Sequence, residues 1–160
     1  MLNAKVEQAL NAQINAEFWS AYLYLSMSAD AMQKGYKGIA NWFSVQFQEE
    51  QAHAQILINY VQARGGKVTL APIDAVKTEW ASPLEMYQDT LQHEQKVTSL
   101  IDDLCHTAAS EKDFATANML IWFVNEQVEE EDNARTIIDQ LKMVACLLYT
   151  SPSPRDPKTS

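Results

Sequence analysis

Apolar residues recur along most of the chain at intervals of three and four, which places their side chains on one face of a helix. Four stretches show this pattern: from about 3 to 33, onward to 64, from 83 to about 109, and from about 113 to 144. Each has roughly 28 residues, or about 42 Å of helix at 1.5 Å per residue. The segment 67–82 has little periodicity, which indicates a long crossover between the second and third helices. The pattern predicts an all-α protein, an antiparallel four-helix bundle with one long crossover.

The last sixteen residues, ACLLYTSPSPRDPKTS, differ from the rest of the chain. They contain three prolines, which cannot continue a helix, and they have no amphipathic pattern. We therefore place one bundle domain at 1–144 and expect 145–160 to be disordered. We also expect this tail to be translated non-gene sequence and not native to the protein.

Charge and composition narrow the class of protein. The chain has 160 residues, about one domain, with 12 basic and 21 acidic residues and a net charge of −9. This balance argues against nucleic-acid binding. No apolar run approaches membrane-spanning length, and the start has no signal-peptide pattern. Cys105 and Cys146 form no CxxC motif and no plausible disulfide framework. We expect a cytoplasmic protein without a membrane partner.

Each of the four apolar stripes is interrupted by polar side chains near the middle of its helix. The interruptions are Glu17, Glu50, His53, Glu94, Gln127 and Glu130. Singly, such a glutamate is more often a surface residue, and such a histidine a hydrogen-bonded core residue. Together they would place four carboxylates at one level of a dry bundle, where they repel one another. Bound divalent cations remove that repulsion, and this ligand set suits iron or manganese, although zinc could also bind.

Ferritin-like di-iron proteins use one glutamate from each of two helices and Glu-x-x-His from the other two. The polar residues of this chain resemble that ligand set. Here the second helix has Glu50-x-x-His53, but the fourth has Gln127-x-x-Glu130. We expect a first metal position at Glu17, Glu50 and His53. We expect a second at Glu50, Glu94 and Glu130, with Gln127 nearby. Because the second position lacks an imidazole, we expect it to hold metal more loosely, as suits release of oxidised iron.

Four segments carry a closer resemblance: EFWSAYLYLSMSADAM, QEEQAHAQ, HEQKVTSLIDDL and WFVNEQVEEEDNA. Over about 1–144 the chain resembles the non-haem bacterial ferritins. The resemblance implies oxidation of Fe(II) by O₂ or peroxide at a di-iron ferroxidase centre inside each bundle. It also implies storage of ferric oxyhydroxide in a 24-subunit shell of octahedral symmetry. Members usually have a short fifth helix, which is missing or replaced here.

The same resemblance assigns further residues by their positions in these motifs. It implies a third iron site facing the cavity, made by Glu49, Glu126 and Glu129 with Glu130 shared. It places Tyr24 beside the centre, where a phenol can donate an electron. Bacterioferritins have a haem-binding Met directly after the bridging glutamate, and because Gln51 stands there we predict no haem.

Three other classes of protein would show different sequence features. A rubrerythrin-like peroxidase, or another di-iron oxidoreductase, would have Glu-x-x-His on both helices, and rubrerythrins add a Cys₄ iron domain. A DNA-protecting miniferritin would place its metal between subunits. A non-enzymatic scaffold bundle would need no ligands in its core. Metal analysis of the purified protein separates the last class from the others.

Overall fold

A computed structural model describes residues 1–150, with side chains up to residue 147. Its elements are four helices, α1 (Ala4–Gln33), α2 (Lys37–Ala63), α3 (Pro83–Ser110) and α4 (Phe114–Thr150). The described residues contain no strand, so the predicted all-α class is confirmed. None of these helices is long and apolar enough to cross a membrane.

Glycines end the first two helices. Gly35 follows α1 with φ +87°, and Gly65 follows α2 with φ +73°. An L side chain rarely adopts this left-handed conformation, which allows the chain to turn directly after a helix. The backbone N–H of the next residue then bonds back into the helix, from Tyr36 to Ala31 O at 2.9 Å and from Gly66 to Val61 O at 2.9 Å.

The long segment between α2 and α3 runs along α1 and is bonded to both ends of it. Near the start of α1, the Asn11 side chain bonds Lys67 O at 2.9 Å and Thr69 N at 2.8 Å. Near its end, Asp30 Oδ2 accepts from Trp80 N at 3.2 Å. The crossover thus returns the chain to the end of the bundle where α2 begins. Consequently α3 runs parallel to α2, while the pairs α1–α2 and α3–α4 are antiparallel.

The core consists of two apolar clusters with a polar level between them. The first contains Leu2, Val6, Leu10, Ile14, Leu57, Val61, Val97, Ile101, Leu104, Ala108, Leu120 and Phe123. The second contains Leu23, Tyr24, Met27, Ala31, Ala40, Phe43, Trp80, Met86, Tyr87 and Ile138. Along α1 the clusters are separated by 15–22, the stretch that contains Glu17. The fold therefore seals the polar level from both ends of the bundle.

The end of α4 differs from the sequence prediction. The helix continues through 145–150 to Thr150, whereas we expected it to end at Val144 and be followed by disorder. The prediction treated the tail as one segment, but its first proline is Pro152. Because a helix usually ends at or before the residue that precedes a proline, a helix that stops at Thr150 is compatible with Pro152. The rest of the tail, 151–160, lies outside the described residues.

The start of α3 gives a test of local stability. Ser82 is its N-cap and accepts a hydrogen bond from Glu85 N at 3.1 Å, with Pro83 in the first turn. We predict that Ser82→Ala lowers the free energy of unfolding by about 1 kcal/mol, because it leaves that N–H without its partner. Chemical denaturation of the metal-free protein measures it. Ser99→Ala, at an exposed position within α3, is the control and should not destabilise; equal effects of both substitutions would contradict the prediction.

Candidate metal centre

Three buried side chains from α1 and α2 converge on one point. Glu17, Glu50 and His53 each offer a ligand atom, and these atoms all lie within 4.8 Å of one another. His53 Nδ1 is 3.5 Å from Glu50 Oε2 and 4.0 Å from Glu17 Oε2. The three residues are only 2%, 3% and 6% exposed. Within the described part of the chain, this is the one group of three or more such side chains that could hold a metal ion.

The helices explain this convergence. Glu50 and His53 are three residues apart, so they share a face of α2. The long antiparallel contact between α1 and α2 brings Glu17 opposite them. His53 also packs its ring edge-on against Trp122, with ring centroids 5.3 Å apart. The ligands are thus held by packed helices and not by a loop.

The charges of these three side chains indicate which kind of ligand they can bind. Burial, and then the charge of Glu50, raises the pKa of Glu17 well above its usual value. Burial raises the pKa of Glu50 to about 8. Glu17 Oε2 is buried with no hydrogen-bond partner. A buried acceptor without a donor is costly, and a cation satisfies it while favouring the deprotonated carboxylates. The donor set therefore fits a divalent metal ion.

Glu94 and Gln127 meet on the α3–α4 side of the same level. Glu94 Oε1 accepts a short hydrogen bond from the Tyr24 hydroxyl, and Gln127 Nε2 donates to Glu94 Oε2 at 3.0 Å. Gln127 Nε2 also lies 3.2 Å from Thr98 Oγ1. Each carboxylate oxygen of Glu94 thus accepts one hydrogen bond, from Tyr24 and from Gln127. A cation at the predicted second position would share the Glu94 carboxylate with these two donors.

Glu130 lies buried near this pair. Burial, and then the charge of Glu94, raises the pKa of Glu130 to about 8. The charges of Glu49 and Glu126 add to the same shift, so these two of the predicted third-site carboxylates lie close enough to influence Glu130. Repulsion among these groups is relieved by protons or by cations.

Two of the residues predicted for the third iron site, Glu49 and Glu126, lie close to the centre. Glu49 and Glu129 are exposed, and Glu126 is partly buried. Glu126 Oε2 is 3.8 Å from His53 Nε2, beyond hydrogen-bond distance but within ion-pair range. The structure thus places Glu126 against a predicted ligand of the first position.

Tyr24 is fully buried beside Glu94. Burial, and then the charge of Glu94, raises the pKa of its phenol well above the usual value. Its ring packs against Phe43 and His93, with centroids 5.9 and 6.0 Å away. The phenol therefore stays protonated and donates its hydrogen bond to Glu94.

Sequence reasoning missed two polar neighbours of the centre. Gln13 is buried on α1, and its Nε2 donates to Glu17 Oε1 at 3.1 Å. Its position four residues before Glu17, on the same helix face, was the available signal. The second is His93 on α3, whose Nε2 lies 2.7 Å from Ser20 Oγ and whose pKa burial lowers to about 4. His93 therefore joins α3 to α1 as a neutral ring.

Comparison with known proteins decides the family. Residues 7–144 match the family model of the ferritin-like domain. The chain belongs to the ferritin family. This confirms the resemblance found in its motifs, and the four packed helices agree with the fold of the family.

Curated relatives and solved structures of ferritins cover most of this chain. The bacterial non-heme ferritin of Bacteroides fragilis (strain 638R) is 45% identical over 142 residues, 89% of each chain. That of Staphylococcus aureus (strain USA300) is 38% identical over 144 residues, 90% of this chain and 87% of its own. A crystal structure described as a novel open pore ferritin, from the archaeon Archaeoglobus fulgidus, has TM-score 0.89 and 46% identity, covering 90% of this chain and 89% of that one. Chlorobium tepidum ferritin has TM-score 0.87 and 33% identity, covering 91% and 88%. These matches support iron storage.

Proposed function

We propose that this ferritin oxidises Fe(II) to Fe(III) with O₂ or peroxide at a di-iron ferroxidase centre inside each bundle, and stores the product as ferric oxyhydroxide. Iron is both the substrate and the cargo. The observation that carries the proposal is the buried convergence of Glu17, Glu50 and His53, with a carboxylate oxygen that no protein group satisfies. A packing role would leave these groups without their counter-charge.

The buried ligands supply position and charge. Glu17, Glu50 and His53 bind the first Fe(II), and Glu50 bridges to a second Fe(II) at Glu94 and Glu130. Two Fe(II) held together can each give one electron to one oxidant. With O₂, two electrons and two protons yield hydrogen peroxide. Deprotonation of buried carboxyl groups when Fe(II) binds provides protons inside the bundle.

The two positions hold iron with different strength. At the first, Glu17 Oε2 is free to bind. At the second, iron competes with the bonds from Tyr24 and Gln127 to Glu94. Fe(III) therefore leaves from the second position. It moves towards the carboxylates proposed for the third site, Glu49, Glu126 and Glu129. Tyr24 can donate a further electron when reduction of the oxidant takes more than the two electrons that two Fe(II) provide.

A closed assembly is needed to retain the mineral. The Archaeoglobus fulgidus structures are of an open pore ferritin and of an engineered closed form. Because the chain is 45–46% identical to those ferritins, we infer that it forms a homo-oligomeric shell. The number of 24 subunits is what the resemblance in the motifs implies, and we place the shell in the cytoplasm. Gln51 stands where bacterioferritins have a haem-binding Met, so the proposed centre uses no haem.

Stopped-flow spectroscopy tests the proposed oxidation. Aerobic Fe(II) added to the metal-free protein should give a fast phase that saturates at about two irons per chain, since the centre has two positions. Zinc added first should suppress this phase, because Zn²⁺ takes the same ligands and is not oxidised. Oxidation no faster than in buffer alone, with or without zinc, would contradict the proposed activity.

A further inference from the structure

We infer that Gln13 is a positioning residue for metal binding: its side-chain amide fixes the Glu17 carboxylate with Oε2 turned towards the first metal position. This inference rests on the proposed function, since it concerns the same centre. It assigns a role to a residue that is not itself a ligand. It also gives a reason for a buried glutamine between two fully buried apolar residues, Leu10 and Ile14.

The contact between Gln13 and Glu17 is local and buried. Gln13 is 4% exposed, and its Nε2 donates to Glu17 Oε1 at 3.1 Å. The two residues are four apart on α1, so the helix itself sets their separation. The bond is thus present before any metal arrives, and it does not depend on a neighbouring helix.

The bond divides the two oxygens of Glu17 between two tasks. Oε1 is held by Gln13, while Oε2 has no hydrogen-bond partner and lies 4.0 Å from His53 Nδ1. Without Gln13, the carboxylate can rotate about its terminal torsion, which is a broad, soft coordinate. Fixing that torsion in advance lowers the entropy that metal binding has to remove.

An amide suits this task better than a charged donor. A lysine or arginine at this position would pair with Glu17 and compete with the metal for its charge. An apolar residue would fill the space and leave Oε1 without a donor. The amide donates one hydrogen bond and adds no charge to a level that already holds four buried carboxylates, Glu17, Glu50, Glu94 and Glu130.

Cobalt titration of the whole protein tests this role. Co(II) neighbours Fe(II) in the order of divalent affinities and serves as the probe, with binding followed by its visible absorption. Gln13→Met preserves length and volume but removes the donor. We predict that it weakens Co(II) binding at the first position by about 10- to 100-fold, as loss of an outer hydrogen-bond partner does at other metal sites. Gln8→Met, at an exposed position of α1, should leave the affinity unchanged.

A double-mutant cycle separates positioning from packing. In a Glu17→Ala background the carboxylate is gone, so Gln13→Met should cause no further loss of Co(II) affinity. Gln13→Leu is the second variant, and thermal unfolding of the metal-free proteins shows which of them fold. Unchanged affinity in a folded Gln13 variant, or an equal loss in both backgrounds, would overturn the inference. If the wild-type chain bound no Co(II) at all, the proposed function would fail, and the inference with it.

Discussion

Replacing Glu50 with alanine is expected to slow Fe(II) oxidation by about 10²- to 10³-fold. Metal-ion catalysis is worth several kcal/mol, and each 1.4 kcal/mol or so is a factor of ten in rate. Glu50 is the one residue proposed to contact both irons, so its loss affects both positions together. His53→Ala should act in the same direction, because it removes the only imidazole from the first position.

Stopped-flow oxidation of the Glu50→Ala protein measures the expected loss. Circular dichroism should show the same helix content as the wild type, since the substitution removes a buried acid that burial disfavours when charged. Glu79→Ala, at an exposed position in the crossover, is the matched control and should keep the wild-type rate. A wild-type rate in Glu50→Ala would refute the centre.

The metal-free protein is expected to lose stability as the pH rises from about 5 to about 8. Burial raises the pKa of Glu50 and of Glu130 from 4.5 to about 8 in the folded state. Between pH 4.5, the pKa in the unfolded state, and about pH 8, the pKa in the folded state, the folded protein binds more protons than the unfolded protein. The free energy of unfolding therefore falls as the pH rises. Each group contributes at most about 1.4 kcal/mol per pH unit. The stabilisation is complete below about pH 4.5 and is lost as the pH passes through about 8.

Denaturant unfolding in the presence of a chelator, at several pH values, measures this slope. Glu130→Gln should make the decline shallower and should stabilise the metal-free protein at pH 8, because the side chain can no longer ionise. Glu79→Gln, at an exposed position, should leave the slope as it is. Zinc should reverse the trend, because deprotonated ligands bind metal more tightly at high pH. Stability that rises between pH 5 and 8 without metal would contradict the electrostatic description of the site.

Most of the fold could be predicted because it follows from periodic patterns. Apolar spacing gave the four helices, and the aperiodic segment 67–82 gave the crossover. The extension of α4 to Thr150 was not predicted, because the prolines that prevent helix in the tail begin only at Pro152. The length of the segment 67–82 already indicates a connection between distant helix ends, and its contacts with α1 at Asn11 and Asp30 show the path that makes α2 and α3 parallel.

The candidate site was predictable at the level of helix faces and not at the level of individual bonds. Spacing alone placed Glu50 and His53 together, and the bundle brought Glu17 to them. Spacing does not give side-chain torsions, so it could not show that Gln127 donates to Glu94. The four-residue spacing places Gln13 on the same helix face as Glu17, but it could not show which carboxylate oxygen the amide holds. The iron ligands themselves stay predictions.

Sedimentation of the protein after aerobic loading with Fe(II) tests the central claim most directly. Absorbance of the protein and of ferric mineral should be followed in the same run. We predict that both sediment together as one large particle, because oxidised iron passes from the bundle into the shell that the chains enclose. Ferric precipitate that sediments apart from a small, iron-free protein would contradict storage by this chain.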